Sequence, residues 1–394
     1  MSTPSPYFAV CPRGLEAALS EELGALGARS LQEAPGGCGF AGPLRVAYLA
    51  NLHSRLASRI LLRMGGGPIR SEQDLYDRVR AVEWEREIGP GQSLRVDVTA
   101  HRSPFRSLQF AVLRVKDAIV DRAREQSGTR PDVDRARPDV QVLAHLREAT
   151  ADLYLDLSGE ALFKRGWRAD KGEAPIKENL GAGLLALSGW APPLPLLDPF
   201  CGSGTLCIEA ACMATRRAPG LDRSFALERL RGFDRPLWKE ICAEARAAID
   251  DRADFEIVGR DISTQVIAIA QANAMRAGLS EALRGTRLRF EARDAREGAA
   301  LARPGMVVTN PPYGEQSNPK SASVSGMMSD YAARLKRDFA GWQAWMLSAD
   351  RALPSQMRLK ESRKIVLFNG PLECRFFRFE LVQGSMRRTP GEST

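Results

Sequence analysis

Histidine is scarce in this sequence, and its scarcity removes several kinds of chemistry at once. The three histidines, His53, His101 and His145, stand far apart in 394 residues. Neither a histidine-bearing metal site nor a serine–histidine relay is suggested by that spread. The seven cysteines, Cys11, Cys38, Cys201, Cys207, Cys212, Cys242 and Cys374, form no CxxC pair. Scattered and odd in number, they fit a reducing compartment better than a disulfide framework or a zinc site, so no metal is expected. No apolar run approaches the ~20 residues that cross a bilayer. The N-terminal stretch, Met1 to Val10, lacks the basic start and long apolar segment of a signal peptide. A cytoplasmic protein without a membrane partner is the expectation. A phosphate-binding Gly-Lys-Ser/Thr loop, an internal repeat and a long low-complexity segment are also missing.

What is there is an ordinary globular composition, 44% hydrophobic and 26% charged, with enough apolar residues for a sizeable core. The length calls for two or three domains. A net charge of +8 favours a polyanionic partner such as nucleic acid, although an arginine-rich solvated surface would give the same balance.

The first ~160 residues read as small α+β units by apolar periodicity. Arg13 to Gly27 places Leu15, Ala18, Leu19, Leu23 and Leu26 on one helical face. A second helix is predicted over Tyr48 to Met64, with Leu49, Leu52, Leu56, Ile60 and Met64 at helical spacing and arginines 55, 59 and 63 on another face. Ser71 is a natural N-cap for a short helix. Leu94 to Ala100 alternates like a strand, a loop from His101 runs into a long amphipathic helix, and Val140 to Ser158 reads as two strands joined near Arg147–Thr150. Two loops here concentrate positive charge around one aromatic: Arg102, Phe105 and Arg106 in the first, Arg130, Arg135 and Arg137 in the proline-rich second. Such a surface grips phosphates; a merely solvated pair of loops is the bland alternative.

From about Leu162, strand-like apolar runs alternate with helices: PLPLLDP, EIVGRDI, LRFEARD, MVVTNPPYG and WQAWMLS, then a closing hairpin KIVLFNGPLECRFFRFELV. That alternation implies a parallel sheet, with one antiparallel strand at its edge supplied by the hairpin. In such sheets ligands bind outside the carboxyl ends of the strands.

Three strand ends carry distinctive sequence. In Leu196-Leu197-Asp198-Pro199-Phe200-Cys201-Gly202-Ser203-Gly204-Thr205, an acid is followed by a glycine-rich turn into a helix. Gly202 and Gly204 let the backbone approach a ligand. A dinucleotide fingerprint would want glycine or alanine where Cys207 stands. Asp198 would repel a phosphate and suits a cationic ligand, such as the ammonium end of S-adenosylmethionine. Asp261, in Gly259-Arg260-Asp261-Ile262-Ser263, either takes ribose hydroxyls or caps the following helix with Ser263. Asp294, followed by Ala295, stands where a third acid would accept from an adenine amine. In Thr309-Asn310-Pro311-Pro312-Tyr313-Gly314, two prolines fix the backbone and remove two N–H donors, so carbonyls can face a ligand. Asn310 adds a side-chain carbonyl and Tyr313 a flat face, which suits an exocyclic base amine; a rigid strand exit is the plain alternative.

The glycine-rich turn and NPPY together resemble the amino-methyltransferases of the class I Rossmann-like group. RGLE, SRLASRI, VKDAIVD, RPDVDR, LDLSG, KRGWR, APIKENL, LLDPFCGSGTLCIEAA, RAPGL, NPPYGE and NGPLECR extend the likeness along nearly the whole chain. It resembles the large-subunit ribosomal RNA guanine-N(2) methyltransferases in their stand-alone form. The resemblance implies a ferredoxin-like region over 1–45, a THUMP RNA-binding domain over 46–160, and a Rossmann-like methyltransferase domain with a mostly parallel seven-stranded sheet over 161–394. It implies S-adenosylmethionine as cofactor and ribosomal RNA as partner. The cofactor would lie against Asp198, Pro199, Cys201, Gly202, Ser203, Gly204, Thr205, Asp261, Ile262, Asp294, Ala295 and Asn310. Catalysis would fall to Asn310, Pro311, Pro312 and Tyr313. An adenine methyltransferase, a THUMP-type transfer RNA guanine methyltransferase and a non-catalytic RNA-binding protein remain rival readings. Lys177 and Glu178, in the segment entering the catalytic region, are further candidates to line the cofactor site, without a strong physical argument behind them.

Overall fold

A computed structural model describes residues 5–382, apart from 104, 106, 129, 135, 170–175, 299, 302–303 and 313–323. The chain divides into two compact units. One comprises residues 1–11, 19–162 and 222–244, the other 12–18, 163–221 and 245–394.

The first unit is built on a seven-stranded sheet. Its strands are β1 (Ser5–Val10), β2 (Arg29–Ala34), β3 (Gly37–Gly42), β4 (Arg59–Pro68), β5 (Leu94–His101), β6 (Val140–Arg147) and β7 (Thr150–Asp156), in the order β2-β3-β1-β4-β7-β6-β5. β4 pairs antiparallel with both β1 and β7, so one sheet joins the strands before and after residue 45 without a break. Helices α1 (Glu16–Ala25), α2 (Leu44–His53), α3 (Glu72–Arg80) and α4 (Leu108–Ser127) complete the unit's main elements. Leu19, Leu52, Ile60, Val79, Val115, Val142 and Leu153 are fully buried within it. Ser71 caps α3, accepting from the Asp74 amide, while the Asp74 carboxylate accepts from the Ser71 amide. This reciprocal pairing satisfies donors that the first turn leaves open.

The helix predicted over Tyr48–Met64 is corrected by the structure. α2 ends at His53, Ser54 is extended, and residues 59–68 form β4 instead. The cause lies 32 residues upstream: Glu22 accepts from the Ser54 hydroxyl at 2.5 Å and from the Arg55 amide at 2.8 Å. The Ser54 amide still donates to the Ala50 carbonyl, but the Arg55 amide and the Leu56 amide, 3.4 Å from Glu22, are spent on that carboxylate and cannot continue the helical ladder. The arginines of the supposed helix face turn out to be cross-strand partners, Arg59 of Asp156 and Arg63 of Asp152.

The second unit carries another seven-stranded sheet: β8 (Leu196–Asp198), β9 (Ile257–Asp261), β10 (Leu288–Ala292), β11 (Met306–Thr309), β12 (Gln343–Ser348), β13 (Arg363–Asn369) and β14 (Leu372–Glu380). The order is β10-β9-β8-β11-β12-β14-β13, with β8 to β12 mutually parallel. β14 runs antiparallel to both β12 and β13. The antiparallel strand therefore lies one place in from the edge, because the hairpin's second arm, not its first, docks on β12. Helices α5 (Glu178–Ser188), α6 (Thr205–Ala214), α8 (Thr264–Arg276) and α10 (Val324–Asp338) belong to this unit. α7 (Arg235–Ala247) precedes β9 in the chain, and α9 (Ser280–Arg284) and α11 (Leu353–Met357) are shorter turns. β8 and β11 are buried along their whole length, which explains their unbroken apolar sequences. Tyr331 and Leu335 of α10, and Phe339 just past its end, pack with Leu197, Val307, Met346 and Phe377 of the sheet. From β8 the chain winds outward through β9 to β10, then returns to β8's other side as β11. The order reverses between β8 and β11, and there a parallel sheet opens a crevice at its carboxyl ends.

Candidate functional site

Asp198 is the last residue of β8 and is 2% exposed. Its Oδ1 accepts from the Thr309 hydroxyl at 2.6 Å and from the Phe200 amide at 3.2 Å. Burial pushes its pKa up to about 7, the two hydrogen bonds pull the other way, and the nearby Asp261 adds to the rise. A carboxyl held this way ionises readily once a cation arrives.

The turn after β8 is tied to its neighbour strand. The Cys201 amide donates to the Arg260 carbonyl at 2.8 Å, and the Gly202 amide to Asp261 Oδ2 at 3.2 Å. Gly202 adopts φ +52°, and a β-carbon there would meet nothing within 4 Å, so the turn presents bare backbone to open space. Gly204, at φ +87°, differs: a β-carbon would press on Ala270 and Phe290 at 3.1 Å, marking a packing contact. Pro199 is buried, as are Cys201, Ser203 and Thr205. Burial raises the Cys201 and Cys207 thiols well above their ordinary range, so both stay protonated.

Asp261, at the end of β9, also accepts from the Ser263 amide at 2.9 Å, while the Ser263 hydroxyl caps α8 through the Val266 amide. The capping alternative thus falls chiefly to Ser263, and Asp261 spans the glycine turn and the helix entry. Ile262 is 73% exposed, an unusual position for so apolar a side chain. Past β10, the Arg293 amide donates to the Asp261 carbonyl at 2.8 Å. Asp294 is engaged by Arg296, whose Nη2 lies 2.7 Å from Oδ2, and that guanidinium lowers the carboxyl's pKa. Ala295 is buried beneath it.

Just past β11, Asn310 Oδ1 is buried with no hydrogen-bond partner among the described residues. An orphaned buried acceptor costs about 1–3 kcal/mol, and it persists where a ligand satisfies it. Pro311 is buried and Pro312 half-buried; Tyr313 lies outside the described residues. The structure therefore joins Thr309 to Asp198 and Gly202 to Asp261 in two hydrogen-bonded pairs at neighbouring strand ends, with Asn310 next in chain to Thr309. Among the described residues, no group of three His, Cys, Asp or Glu side chains is placed to hold a metal ion, and no helix is long and apolar enough to cross a membrane.

Asn273 and Arg334, which sequence reasoning passed over, and Glu178, which it singled out, support these pairs. Asn273 Nδ2 donates to the Ser203 carbonyl at 3.0 Å and Asn273 Oδ1 accepts from Arg276, so α8 holds the glycine turn. The signal was an asparagine among the apolar positions of α8. Arg334, 2% exposed on α10, donates to the carbonyls of Ala295 and Gly298 and holds the loop after Asp294. Glu178, 5% exposed, pairs with Arg168 at 3.1 Å. Arg168 in turn donates to the Thr205 hydroxyl at 2.6 Å, so Glu178 acts on the first turn of α6 at one remove. Lys177 lies over the Phe163 ring.

In the first unit, Arg102, Arg130 and Arg137 are exposed and Phe105 is half-buried. Arg106 and Arg135 lie outside the described residues.

Residues 165–378 match the family described as RMKL-like, methyltransferase domain; residues 70–156 match the THUMP domain, and residues 6–61 the RlmL ferredoxin-like domain. A protein of Shewanella sp. (strain ANA-3) named ribosomal RNA large subunit methyltransferase K/L is 39% identical over 393 residues, 98% of this chain and 54% of that protein. The chain spans about half the length of the curated relatives it matches. Among solved structures, SMU.472, named as a methyltransferase and crystallised with S-adenosylhomocysteine, superposes with a TM-score of 0.88 at 28% identity, covering 98% of this chain and 100% of that one. A Listeria monocytogenes protein named as an N6-adenine-specific DNA methylase superposes with a TM-score of 0.86 at 28% identity, covering 96% of each chain.

Proposed function

The chain belongs to the RMKL-like methyltransferase family, and from that premise we propose that it transfers a methyl group from S-adenosylmethionine to the exocyclic 2-amino group of a guanine in large-subunit ribosomal RNA. The observation that carries the reading is the buried, partnerless Asn310 Oδ1 beside a crevice lined with acids and bare glycine backbone. The acids suit the cofactor's ammonium group and ribose hydroxyls, and the space at Gly202 admits a ligand against the backbone. Asp198 would take the ammonium, Asp261 the ribose, and Asp294 the adenine amine, sharing its oxygens with Arg296. Pro199, Cys201, Gly202, Ser203, Gly204, Thr205, Ile262, Ala295 and Asn310 would complete the cofactor's surroundings.

When bound, S-adenosylmethionine supplies an electrophilic methyl group. The protein's task is to make the amine a nucleophile, because its lone pair is delocalised into the guanine ring. Asn310 Oδ1 and the carbonyl of Pro311 accept the amine's two N–H groups, which favours a pyramidal nitrogen whose lone pair points away from the ring plane. Holding both reactants in that geometry is worth about 7–11 kcal/mol of the barrier. Tyr313 stacks on a base drawn out of its helix, as chemistry on a base requires. The methylated amine is acidic while cationic and loses its proton to water.

Residues 1–45 and 46–160 serve RNA binding in this reading, with Arg102, Phe105, Arg106, Arg130, Arg135 and Arg137 against phosphates and bases, and residues 161–394 serve catalysis. The compartment is cytoplasmic. The test is incubation of the full chain with labelled cofactor and, separately, ribosomal RNA, transfer RNA and DNA, followed by nucleoside analysis. Label in N(2)-methylguanosine from ribosomal RNA is expected. Label confined to N(6)-methyladenosine, or to transfer RNA, would replace the substrate assignment; no transfer with intact cofactor binding would favour a binding protein.

A further inference from the structure

Thr309 is fully buried at the end of β11, and its hydroxyl is spent on Asp198. β8 and β11 are neighbours and run parallel, with Val307 opposite Leu197. Their last residues, Asp198 and Thr309, therefore emerge together at the sheet's carboxyl edge, and the hydroxyl donates to the carboxylate at 2.6 Å. Both are closed to water, Thr309 at 0% and Asp198 at 2% exposure. Among the described residues, the ionisable groups that act on Asp198 are Asp261 from β9, Cys201 and Cys207 from the glycine turn and α6, and Tyr331 from α10. All of these are acids, and among the described residues no ion pair to Asp198 is seen. The Phe200 amide, a distant 3.2 Å, and the Thr309 hydroxyl are the neutral donors that make an ionised Asp198 tolerable.

We propose that Thr309 is a positioning residue: its hydroxyl holds Asp198 oriented and ionisable for the cofactor's ammonium group, and binds that side of the crevice to the substrate-side turn that begins at Asn310. The proposal rests on the cofactor reading above. Binding the ammonium then fixes Asp198 in its ionised form, and the proton it carried leaves to solvent. Because Thr309 and Asn310 are adjacent, the same hydrogen bond limits how far the NPP turn can drift from the cofactor.

A hydrogen bond to a charged group contributes about 1.5–3 kcal/mol, which corresponds to about one to two pH units. Thr309→Val keeps the shape and removes the donor. Calorimetric titration of the full chain with S-adenosylhomocysteine from pH 6 to pH 8.5 tests the idea. For the wild type, affinity rises with pH through neutrality, and buffers of different ionisation heat report proton release on binding near pH 7. For Thr309→Val the rise moves upward by about one to two units. The Kd at pH 7 weakens by about 5- to 50-fold, the gap approaches about 10- to 100-fold at pH 6 and it narrows toward pH 8.5. Thr309→Ser, which restores the hydroxyl, returns to the wild-type profile. A valine variant with unchanged affinity, or weakened equally at every pH, overturns the proposal. If that variant does not fold, the wild type decides: binding without proton release near neutrality also overturns it. Absence of any S-adenosylhomocysteine binding by the wild type removes the cofactor reading itself, and this proposal with it.

Discussion

Replacing Asp198 by asparagine should strengthen the ligand-free protein while disabling its cofactor site. Burial holds the Asp198 carboxyl at a pKa of about 7 against an ordinary 3.8. The folded state thus keeps this proton to higher pH than the unfolded chain does. Stability is lost as pH rises from the unfolded value toward the folded one, and the whole cost is present above about 7. A rise of about three units, at about 1.4 kcal/mol each, makes that cost about 4 kcal/mol as an upper limit. Asparagine has the same size, cannot ionise, and its carbonyl can still accept from the Thr309 hydroxyl and the Phe200 amide. The variant's advantage should be small near pH 4 and several kcal/mol at pH 8, seen as a rise in Tm of several degrees on melting without ligand. In the same variant S-adenosylhomocysteine affinity should collapse, since the ammonium group loses its counter-charge. An equal Tm shift at both pH values, or a destabilised variant at pH 8, would refute the idea that burial of this carboxyl is what the fold tolerates for function.

Asn310→Ala should lower turnover on ribosomal RNA by about 10²–10³ with cofactor affinity nearly intact, because the missing acceptor works on the amine in the transition state; Asn310→Asp, still an acceptor, should retain part of the activity, and single-turnover rates separate the two. Gly202→Ala should cost the fold about 1 kcal/mol from its positive φ yet strongly impair S-adenosylhomocysteine binding, since the new methyl group occupies the open side of the turn. Gly204→Ala should instead show itself chiefly in thermal melts, because its methyl group meets Ala270 and Phe290. Replacing Arg102 and Arg137 together by glutamine should weaken RNA binding across sequences, with cofactor affinity unchanged. The slope of log affinity against log salt should flatten by about one unit for each phosphate no longer neutralised.

Much of the second unit was legible in the chain itself. β8, β9 and β11 announce themselves as short apolar runs because strands buried on both faces need no alternation. The glycine turn and the NPP turn follow them because ligand approach there demands special backbone. Periodicity failed at residues 48–64, where leucines and isoleucines satisfy a helical spacing and a strand equally well. Glu22 settled the matter from another element by taking the amides of residues 55 and 56.

Local sequence thus determined which strand ends would carry polar groups, since a motif's turn chemistry depends on its own few residues. Only the tertiary structure decided what those groups meet. Asp198 and Thr309 lie 111 residues apart and are joined because β11 returns to the opposite side of β8 from β9. Whether Asp198 is charged, whether Asn310 Oδ1 has a partner, and which glycine faces open space all depend on burial and on neighbours from distant segments. Desolvation and hydrogen bonding are properties of the packed site, and no window of sequence contains them.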